Sequence, residues 1–366
     1  MTGNIIGERL ILVSFGESHG KCIGAVVEGV PAGLSLAEDD VQRELDLRRP
    51  GQSLIVSQRR ETDQVEILSG VFQNYTTGAP IAMIVRNEDK NSSAYKDISH
   101  QPRPGHADLV ARQKYGGFND WRGGGRFSGR ITVSFVMGGA IAKKLLHECL
   151  GVQVMAYSSE IGGVSASSVA IEDVIKKRYS NEVRCPDSEA AKDMIQKIRM
   201  AKQEGDSLGG VVECIALNVP TGLGEPVFSS LDSDLARIIL SIPAVKGVEF
   251  GSGFRAAKLK GSENNDQYAF SKGMIMPTSN NAGGILGGLS NGQPLRLRVG
   301  FKPASSIAKK QRTVDLDTNE EVELVVAGRH DPTVVPRAVP VVESVVAFTL
   351  ADHAIRAGLI PPVLKR

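Results

Sequence analysis

Basic side chains, glycines and one histidine are concentrated in a single stretch, residues 103–130. Glycines permit positive φ angles and close approach of the backbone, so amide N–H groups can converge on an anion there. Arginine suits phosphate and carboxylate because its planar fork donates two parallel hydrogen bonds. The basic residues are Arg103, Arg112, Lys114, Arg122, Arg126 and Arg130. The stretch predicts an anion site, against the alternative of a mobile surface loop with solvated charges.

Two histidines lie in glycine-flanked loops that could carry out proton transfer. His106 is the only group of the 103–130 stretch that titrates near neutral pH, which makes it a candidate proton donor to an oxygen that leaves with phosphate. His19 lies in a second polar loop, next to Ser18. The six histidines contain no i, i+4 pair and have no cysteine partner, so we do not expect a metal site.

Residues 16–20, GESHG, also match the G-x-S-x-G pattern of a hydrolase nucleophile elbow, with His330 and Asp331 downstream. An elbow requires a strand, a sharp turn and a helix, whereas residues 21–31 have the composition of a strand and include a proline. Residues 251–256 resemble a dinucleotide fingerprint, but no helical pattern follows them. We therefore expect neither a serine hydrolase nor a dinucleotide fold.

Composition restricts the class of ligand and the compartment. A formal net charge of +2 and a pI near 8.3 are too close to neutral for a dedicated nucleic-acid binder, which favours a small anionic ligand. The four cysteines have no C-x-x-C spacing, so a reducing compartment is expected. Lys143 and Lys144 interrupt the longest apolar run, and the N-terminus has no signal-peptide pattern. We expect a cytoplasmic protein without a membrane or nucleic-acid partner.

The apolar spacing predicts the elements that must hold these loops. Strands are predicted over residues 10–15, 22–30, 65–72, 81–85, 211–219 and 295–301. Helices are predicted from a capping box at Ser35, from the run after Arg130 to Gly151, from Asp187 or Ser188 to Gly205, from near Asp232, and from Pro340 to Gly358. The basic, glycine-rich loop therefore precedes a helix, whose N-terminus favours a nearby anion.

A short pattern recurs within the chain. Residues 24–34 contain GAVVE followed by VPAGL, and residues 210–223 contain GVVE followed by VPTGL. The recurrence predicts two related halves, about 1–185 and 186–366, within one domain spanning 1–366. Generic turn chemistry is the alternative explanation of the shared V-P-x-G-L segment.

Three separated groups of residues resemble the signatures of the chorismate synthase family. They are residues 16–20 with 29–31, residues 125–130 with Thr132, and residues 329–332 with Glu343. Residues 103–108, 281–288 and 302–306 resemble further family segments in the expected order. The similarity extends over essentially the whole chain, which is identified as a member of this family.

The resemblance implies an α+β fold, a β-α-β sandwich of two antiparallel sheets around a helical layer, assembled as a homotetramer. It implies a lyase reaction, the anti 1,4-elimination of phosphate from 5-enolpyruvylshikimate 3-phosphate to give chorismate, the last common step of the shikimate pathway. Reduced FMN is required although no net redox change occurs. The sequence leaves open whether NADPH reduces the flavin on this chain or an external reductase does so.

The resemblance also assigns roles to individual residues. His19 would protonate reduced flavin near N1, His106 would stand by the departing phosphate, and Asp331 would help to remove the substrate proton through flavin N5. The residues that would hold the substrate anions are Ser18, Arg48, Arg103, Arg130 and Arg329. The residues that would line the flavin are His106, Arg126, Phe127, Ser128, Ala244, Gly287, Lys302, Pro303, Ala304, Ser305, Ser306 and Arg329.

Three positions depart from the family pattern. Leu54 stands where many bacterial relatives have an arginine, Phe127 replaces a small polar residue, and Pro243 replaces an asparagine. These changes predict a missing or relocated anion contact and an altered flavin site. Two alternative functions stay open at this stage: a flavin- or phosphate-binding protein of the same fold without lyase activity, and an RNA-binding protein that uses residues 121–130.

Overall fold

The structure, a computed structural model, describes residues 3–51, 61–88, 97–271, 273–326 and 331–365. Its strands are β1 (Ile5–Ile6), β2 (Ile11–Gly16), β3 (Cys22–Glu28), β4 (Val65–Ile67), β5 (Val71–Phe72), β6 (Tyr75–Thr76), β7 (Ile81–Arg86), β8 (Gln153–Ile161), β9 (Val164–Ser165), β10 (Gly210–Leu217), β11 (Val245–Phe250), β12 (Tyr268–Ser271), β13 (Met274–Pro277), β14 (Ile285–Leu286), β15 (Leu289–Ser290), β16 (Leu295–Phe301), β17 (Gln311–Asp315) and β18 (Glu320–Leu324). Its α-helices are α1 (Glu38–Arg48), α2 (Asp108–Lys114), α3 (Thr132–Leu150), α4 (Ile171–Lys177), α5 (Ser188–Gln203), α6 (Leu231–Ile239), α7 (Gly261–Asn264) and α8 (Val335–Arg356).

Two antiparallel sheets enclose a layer of helices. One sheet has the strand order β1-β2-β3-β7-β4, and the other has the order β11-β16-β10-β8-β9. Helix α3 packs on β2 and β3 of the first sheet, α8 packs on β8 and β10 of the second, and the two helices pack on each other. The predicted α+β fold with a β-α-β sandwich is confirmed.

The contact between α3 and α8 depends on a residue without a side chain. A Cβ atom on Gly139 would lie 2.2 Å from Cβ of Ser344, so only glycine lets the two helix backbones approach this closely. Ser344 is fully buried and donates its hydroxyl to the carbonyl of Pro340, 2.6 Å away. The helices therefore form a close-packed centre for the hydrophobic core.

Several element boundaries follow the sequence closely. Strand β16 has the predicted bounds, and α3 ends at Leu150, followed by the capping residue Gly151, which has a φ of 66°. The side chain of Asp187 accepts hydrogen bonds from the N–H groups of Glu189 and Ala190 and caps α5. Residues 65–72 are not one strand, because Gly70 adopts a φ of 82° between β4 and β5.

The predicted capping box at Ser35 is wrong. Helix α1 begins at Glu38, and the carboxylate of Asp40 accepts the N–H of Ala37 at 2.9 Å. Ser35 instead forms an isolated β-bridge with Tyr75. The inward positions of the helix were predicted correctly, since Val41 is fully buried.

The predicted start of the last helix at Pro340 is also wrong. Helix α8 begins at Val335, so Pro340 lies inside it. A proline in a helix leaves the carbonyl four residues earlier without its usual donor. Here that carbonyl, of Pro336, accepts a hydrogen bond of 2.6 Å from Nη1 of the buried Arg184. A side chain distant in sequence thus compensates for the missing backbone donor.

The two copies of the internal pattern occupy equivalent places. Strand β3 is the central strand of the first sheet and β10 is the central strand of the second. Each copy is followed along the chain by a helix, α1 and α6 respectively. The division of one domain into related halves stays a prediction.

Within the described ranges, α8 alone has the length and apolar composition needed to cross a membrane. Its most apolar window is 94% buried inside the fold. We therefore assign α8 to the protein core, where it packs against α1, α3, α6 and the second sheet.

Candidate active site

A cavity of about 580 Å³ opens where the ends of several elements meet. Arg48 ends α1, Arg130 precedes α3, and Arg337 lies in the first turn of α8. Lys302 follows β16 and also lines the cavity. A cavity of this size falls in the range of about 300–1,000 Å³ that small-molecule sites occupy.

Most of the predicted site residues share this cavity. Its lining includes Ser18, Arg48, Arg103, His106, Arg126, Phe127, Ser128, Arg130, Ala244, Lys302, Pro303, Ala304, Ser305, Ser306 and Asp331. His19 and Gly287 are not part of the lining; Gly287 is exposed in the turn between β14 and β15. Arg329 and Leu54 lie outside the described residues. The third departure from the family pattern, Pro243, lines the cavity beside Ala244.

Positive charge dominates the cavity wall. Among the described lining residues the basic ones are Arg48, Arg103, Arg126, Arg130, Lys246, Lys302 and Arg337, and the acidic ones are Glu61 and Asp331. A concave surface of one sign concentrates field lines and attracts ligands of the opposite sign. The cavity is therefore suited to a ligand that carries several negative charges.

His106 is held by an aspartate and an arginine. Oδ1 of Asp108 lies 2.6 Å from Nδ1 of His106, and Arg103 donates to the same carboxylate from Nε and Nη2 at 2.8 Å each. Burial works against the charged form of Asp108, but the bonds from Arg103 and His106 outweigh it and keep the pKa of this carboxyl below its usual range. With an acceptor at Nδ1, Nε2 is the ring nitrogen that can serve a ligand, and it lies 3.3 Å from Nη2 of Arg103, which also lines the cavity.

The loop that contains Gly123 and Gly124 packs directly against His19 and His106. Gly123 and Gly124 have φ angles of 58° and 83°. A Cβ on Gly123 would lie 2.2 Å from the ring of His19, and one on Gly124 would lie 2.8 Å from Cε1 of His106. These glycines are thus required for close packing as well as for backbone conformation.

His19 lies behind this loop and is only 5% exposed. Its Nδ1 is 3.2 Å from the hydroxyl of Ser18, which reaches the cavity. The turn that carries both residues leads into β3 and not into a helix, so the expectation that no nucleophile elbow is present is confirmed. The proton-donating role of His19 stays a prediction.

Arg126 ties the same loop to the first sheet. Its guanidinium donates to the carbonyls of Gly16 and Ser14 at 2.9 and 3.2 Å and to the Ser14 hydroxyl at 3.0 Å. Burial lowers the pKa of Arg126. The side chain therefore fixes the loop against β2 while part of it lines the cavity.

Asp331 is paired with a residue that sequence reasoning missed. Nη1 of Arg337 lies 2.5 Å from Oδ2 of Asp331. Nε of Arg337 lies 3.4 Å from the carbonyl oxygen of Arg48. The first turn of α8 brings Arg337 to the cavity six positions after Asp331. The sequence did not indicate Arg337 as a site residue, because the helix was predicted to begin later, at Pro340.

Lys302 and Lys246 both line the cavity and influence each other electrostatically. Lys302 donates to the carbonyl of Gly105 at 2.6 Å and to the hydroxyl of Ser305 at 2.7 Å. Burial and the neighbouring ammonium of Lys246 lower the pKa of Lys302. Lys246 is the extra residue of a β-bulge between β11 and β16, and bulges redirect side chains. No sequence signal marked Lys246.

Among the residues that the structure describes, no group of three or more histidine, cysteine, aspartate or glutamate side chains could hold a metal ion. The fold and the cavity together define an α+β protein with one basic cavity that is suited to a small, multiply charged anion and whose lining includes His106 and Asp331. Comparison with known proteins gives the family within this class.

The profile of the chorismate synthase family matches residues 10–355. The chain is 62% identical over 357 residues to a chorismate synthase of Korarchaeum cryptofilum (strain OPF8), covering 98% of this chain and 99% of that protein. It is 51% identical over 362 residues to a chorismate synthase of Methanosarcina mazei (strain ATCC BAA-159 / DSM 3647 / Goe1 / Go1 / JCM 11833 / OCM 88), with 99% of each chain covered. A crystal structure of chorismate synthase superposes with a TM-score of 0.76 at 32% identity, covering 96% of this chain and 93% of that one.

The chain belongs to the chorismate synthase family. It is a lyase that acts at the last common step of the shikimate pathway, which leads to the aromatic amino acids. The resemblance of its separated motifs to this family is confirmed.

Proposed function

We propose that the cavity binds 5-enolpyruvylshikimate 3-phosphate beside reduced FMN and promotes the loss of phosphate to give chorismate. The observation that carries the proposal is the excess of cationic side chains around one cavity that also contains His106 and Asp331. The substrate has two carboxylates and a phosphate, and FMN adds a second phosphate. Binding both requires an excess of positive charge in a protein whose net charge is only +2.

The wall formed by Lys302, Lys246 and Ser305 has the donors that a flavin phosphate needs. Phe127, a residue that is 39% exposed, and Ala244 offer apolar surface to a planar ring system. These side chains fit FMN. When bound, the reduced cofactor supplies an electron-rich ring that can lend charge as the carbon–oxygen bond weakens.

Two pairs of residues carry the proton transfers in this proposal. His106 donates from Nε2 to the departing phosphate while Asp108 holds Nδ1, 2.6 Å away. Asp331 accepts the proton that the substrate loses, and Arg337 fixes its carboxylate. The guanidinium groups of Arg48, Arg103 and Arg130 bind the substrate anions.

The RNA-binding alternative finds little support in the geometry. Arg130 is 5% exposed, Arg126 donates into the first sheet, and Arg122 is paired with Asp120 at 2.8 Å. Arg126 and Arg130 lie in the wall of the cavity and do not form the exposed basic surface that the phosphates along a nucleic acid require. The proposal further takes the chain to work in the cytoplasm as a homotetramer.

The deciding experiment is an anaerobic assay with chemically reduced FMN and 5-enolpyruvylshikimate 3-phosphate. Formation of chorismate, followed by its absorbance, supports the proposal. Binding of flavin and substrate without chorismate would instead support a binding protein without lyase activity. A parallel reaction with oxidised FMN and NADPH as the only reductant tests whether this chain reduces its own flavin.

The role of His106 is tested by His106→Ala. Turnover should fall by about 10²–10⁴-fold, because general acid catalysis is lost, while substrate binding is retained. The control is His147→Ala, which replaces an exposed histidine on α3 outside the cavity lining. Unchanged turnover in His106→Ala would contradict the assigned role.

A further inference from the structure

A single buried carboxylate connects two arginines of the cavity. Asp63 is fully buried, and its Oδ2 lies 2.9 Å from Nη1 of Arg48. Its Oδ1 accepts a hydrogen bond from Nη1 of Arg130. Arg48 and Arg130 line the cavity, whereas Asp63 lies behind them and is not part of the lining. Two guanidinium groups from different elements therefore share one counter-charge.

The backbone of Asp63 is held as firmly as its side chain. Its φ of 49° belongs to the left-handed region. This conformation is unfavourable for any residue that has a side chain, and it persists only where the surroundings enforce it. Gln42 of α1 enforces it, since its Nε2 donates to the carbonyl of Asp63 at 3.3 Å and its Oε1 accepts from the N–H of Val65 at 3.0 Å. Arg48 lies on the same helix, so α1 fixes both partners of the ion pair.

The remaining contacts of the two arginines leave donors for a ligand. Nε of Arg48 donates to the hydroxyl of Thr132 at 3.1 Å, and Nη2 donates to the carbonyl of Gly129 at 3.3 Å. Nε of Arg130 donates to Oδ1 of Asn87 at 3.0 Å. Nη2 of Arg130 approaches the carboxylate of Glu61 at 3.5 Å. A guanidinium has five N–H groups, and within the described part of the chain these contacts and the bond to Asp63 use three of them on each side chain and leave two.

Two buried guanidinium groups that share one carboxylate repel each other electrostatically. Burial lowers the pKa of Arg48 to about 9, and the positive charges of Arg337 and Arg130 act in the same direction. Asp63 opposes these effects. Without a bridging carboxylate, the two forks would separate or lose their fixed orientation.

We infer that Asp63 is a positioning residue for substrate binding. It holds the guanidinium groups of Arg48 and Arg130 side by side, so that their remaining N–H groups donate hydrogen bonds to one anionic group of the substrate. The inference rests on the proposed function, because it takes the ligand to be 5-enolpyruvylshikimate 3-phosphate. It assigns to Asp63 an effect on binding and not on the chemical step.

The substitution Asp63→Asn separates positioning from simple charge balance. If Asp63 only balances charge, its neutralisation makes the cavity more positive and an anion binds more tightly. If it positions the forks, the loss of one charged acceptor loosens them and binding weakens. We expect KM for the substrate to rise by about tenfold or more, with kcat changed by less than about threefold.

The substitution Asp63→Glu gives an independent test, because it keeps the charge and displaces the carboxylate by one methylene. Positioning predicts that KM rises here as well, whereas charge balance predicts the wild-type value. Asp234→Asn is the matched control, since it neutralises a carboxylate that pairs with His353 and Arg356 away from the cavity. Its KM should equal that of the wild type.

Calorimetric binding of the substrate to the protein in the presence of saturating oxidised FMN distinguishes this inference from the proposed function. If the wild-type protein does not bind the substrate, the proposed function fails. If the wild type binds it and both Asp63 variants bind it equally well or better, only the inference fails. Thermal unfolding is measured in parallel, and loss of folding in both variants would assign Asp63 to stability and would also overturn the inference.

Discussion

At the scale of single residues, the site depends on the absence of side chains as much as on their presence. Gly124 packs against His106, and a Cβ there would lie 2.8 Å from Cε1 and 3.1 Å from Nε2 of the ring. We expect Gly124→Ala to displace the ring and to lower kcat/KM by about a hundredfold, because a displacement near 1 Å is enough for such a loss. Steady-state kinetics with reduced FMN measure the effect.

The control for this prediction is Gly163→Ala. Gly163 has the same φ of 83°, but nothing lies within 4 Å of the Cβ it would gain. Both variants should lose about 1–2 kcal/mol of stability, since alanine adopts this conformation with strain. Only Gly124→Ala should lose activity. Equal activity of the two variants would mean that close packing against His106 is not required.

The sequence indicated most of the cavity residues but not the residues that hold them. His106 and Arg103 occur in a recognisable motif, and glycine and arginine reveal their chemistry by type. The residue types of Asp63 and Arg337 do not reveal their roles. These roles come from partners 15 and six positions away, and the approach of those partners depends on the fold. Lys246 reaches the cavity only because β11 has a bulge.

At the scale of elements, the main error concerned α8, and its cause is physical. A proline inside a helix normally predicts a boundary, but Arg184 donates to the carbonyl that Pro340 leaves without a donor. Arg184 also donates to the carbonyl of Leu47, which links α8 to the end of α1. A compensation of this kind is not visible in local sequence, since 156 positions separate Arg184 from Pro340.

The variant Arg184→Met tests this compensation. It leaves the buried carbonyl of Pro336 without its side-chain donor and should lower the free energy of unfolding by about 1–3 kcal/mol. Adding Pro340→Ala restores a backbone N–H that can bond the same carbonyl, so part of the loss should be recovered. Chemical denaturation of the two single variants and the double variant measures the coupling. Additive effects would show that Arg184 does not act through this carbonyl.

At the scale of the whole molecule, the order of layers was predictable and the outer surface was not. The family resemblance implied two sheets around helices, and the apolar patterns indicated the individual strands and helices, because such patterns report which faces are buried. They do not report which apolar residues stay exposed on the folded chain. The β12–β13 hairpin is the example: Tyr268 and Phe270 are 64% and 80% exposed, and Ile275 is 65% exposed.

These three side chains form one apolar surface. Tyr268 and Phe270 are two positions apart in β12, so their side chains lie on the same face of the strand. Ile275 is the cross-strand partner of Phe270. Contiguous exposed patches of this type are uncommon on monomers and are typical of interfaces. Because the chain is proposed to be a homotetramer, we expect a second copy to cover the hairpin. Phe270→Asp combined with Ile275→Asp should therefore yield smaller species in analytical ultracentrifugation.

The control is Met200→Asp, which places one carboxylate on a half-exposed apolar residue of α5 and should leave the assembly unchanged. Placing two carboxylates in an apolar interface costs free energy, because they lose hydration without gaining partners. A hairpin that faces water instead would accept both aspartates without any change in sedimentation. A wild-type tetramer that persists in the double variant would therefore assign the interface to another surface, and a monomeric wild type would contradict the homotetramer itself.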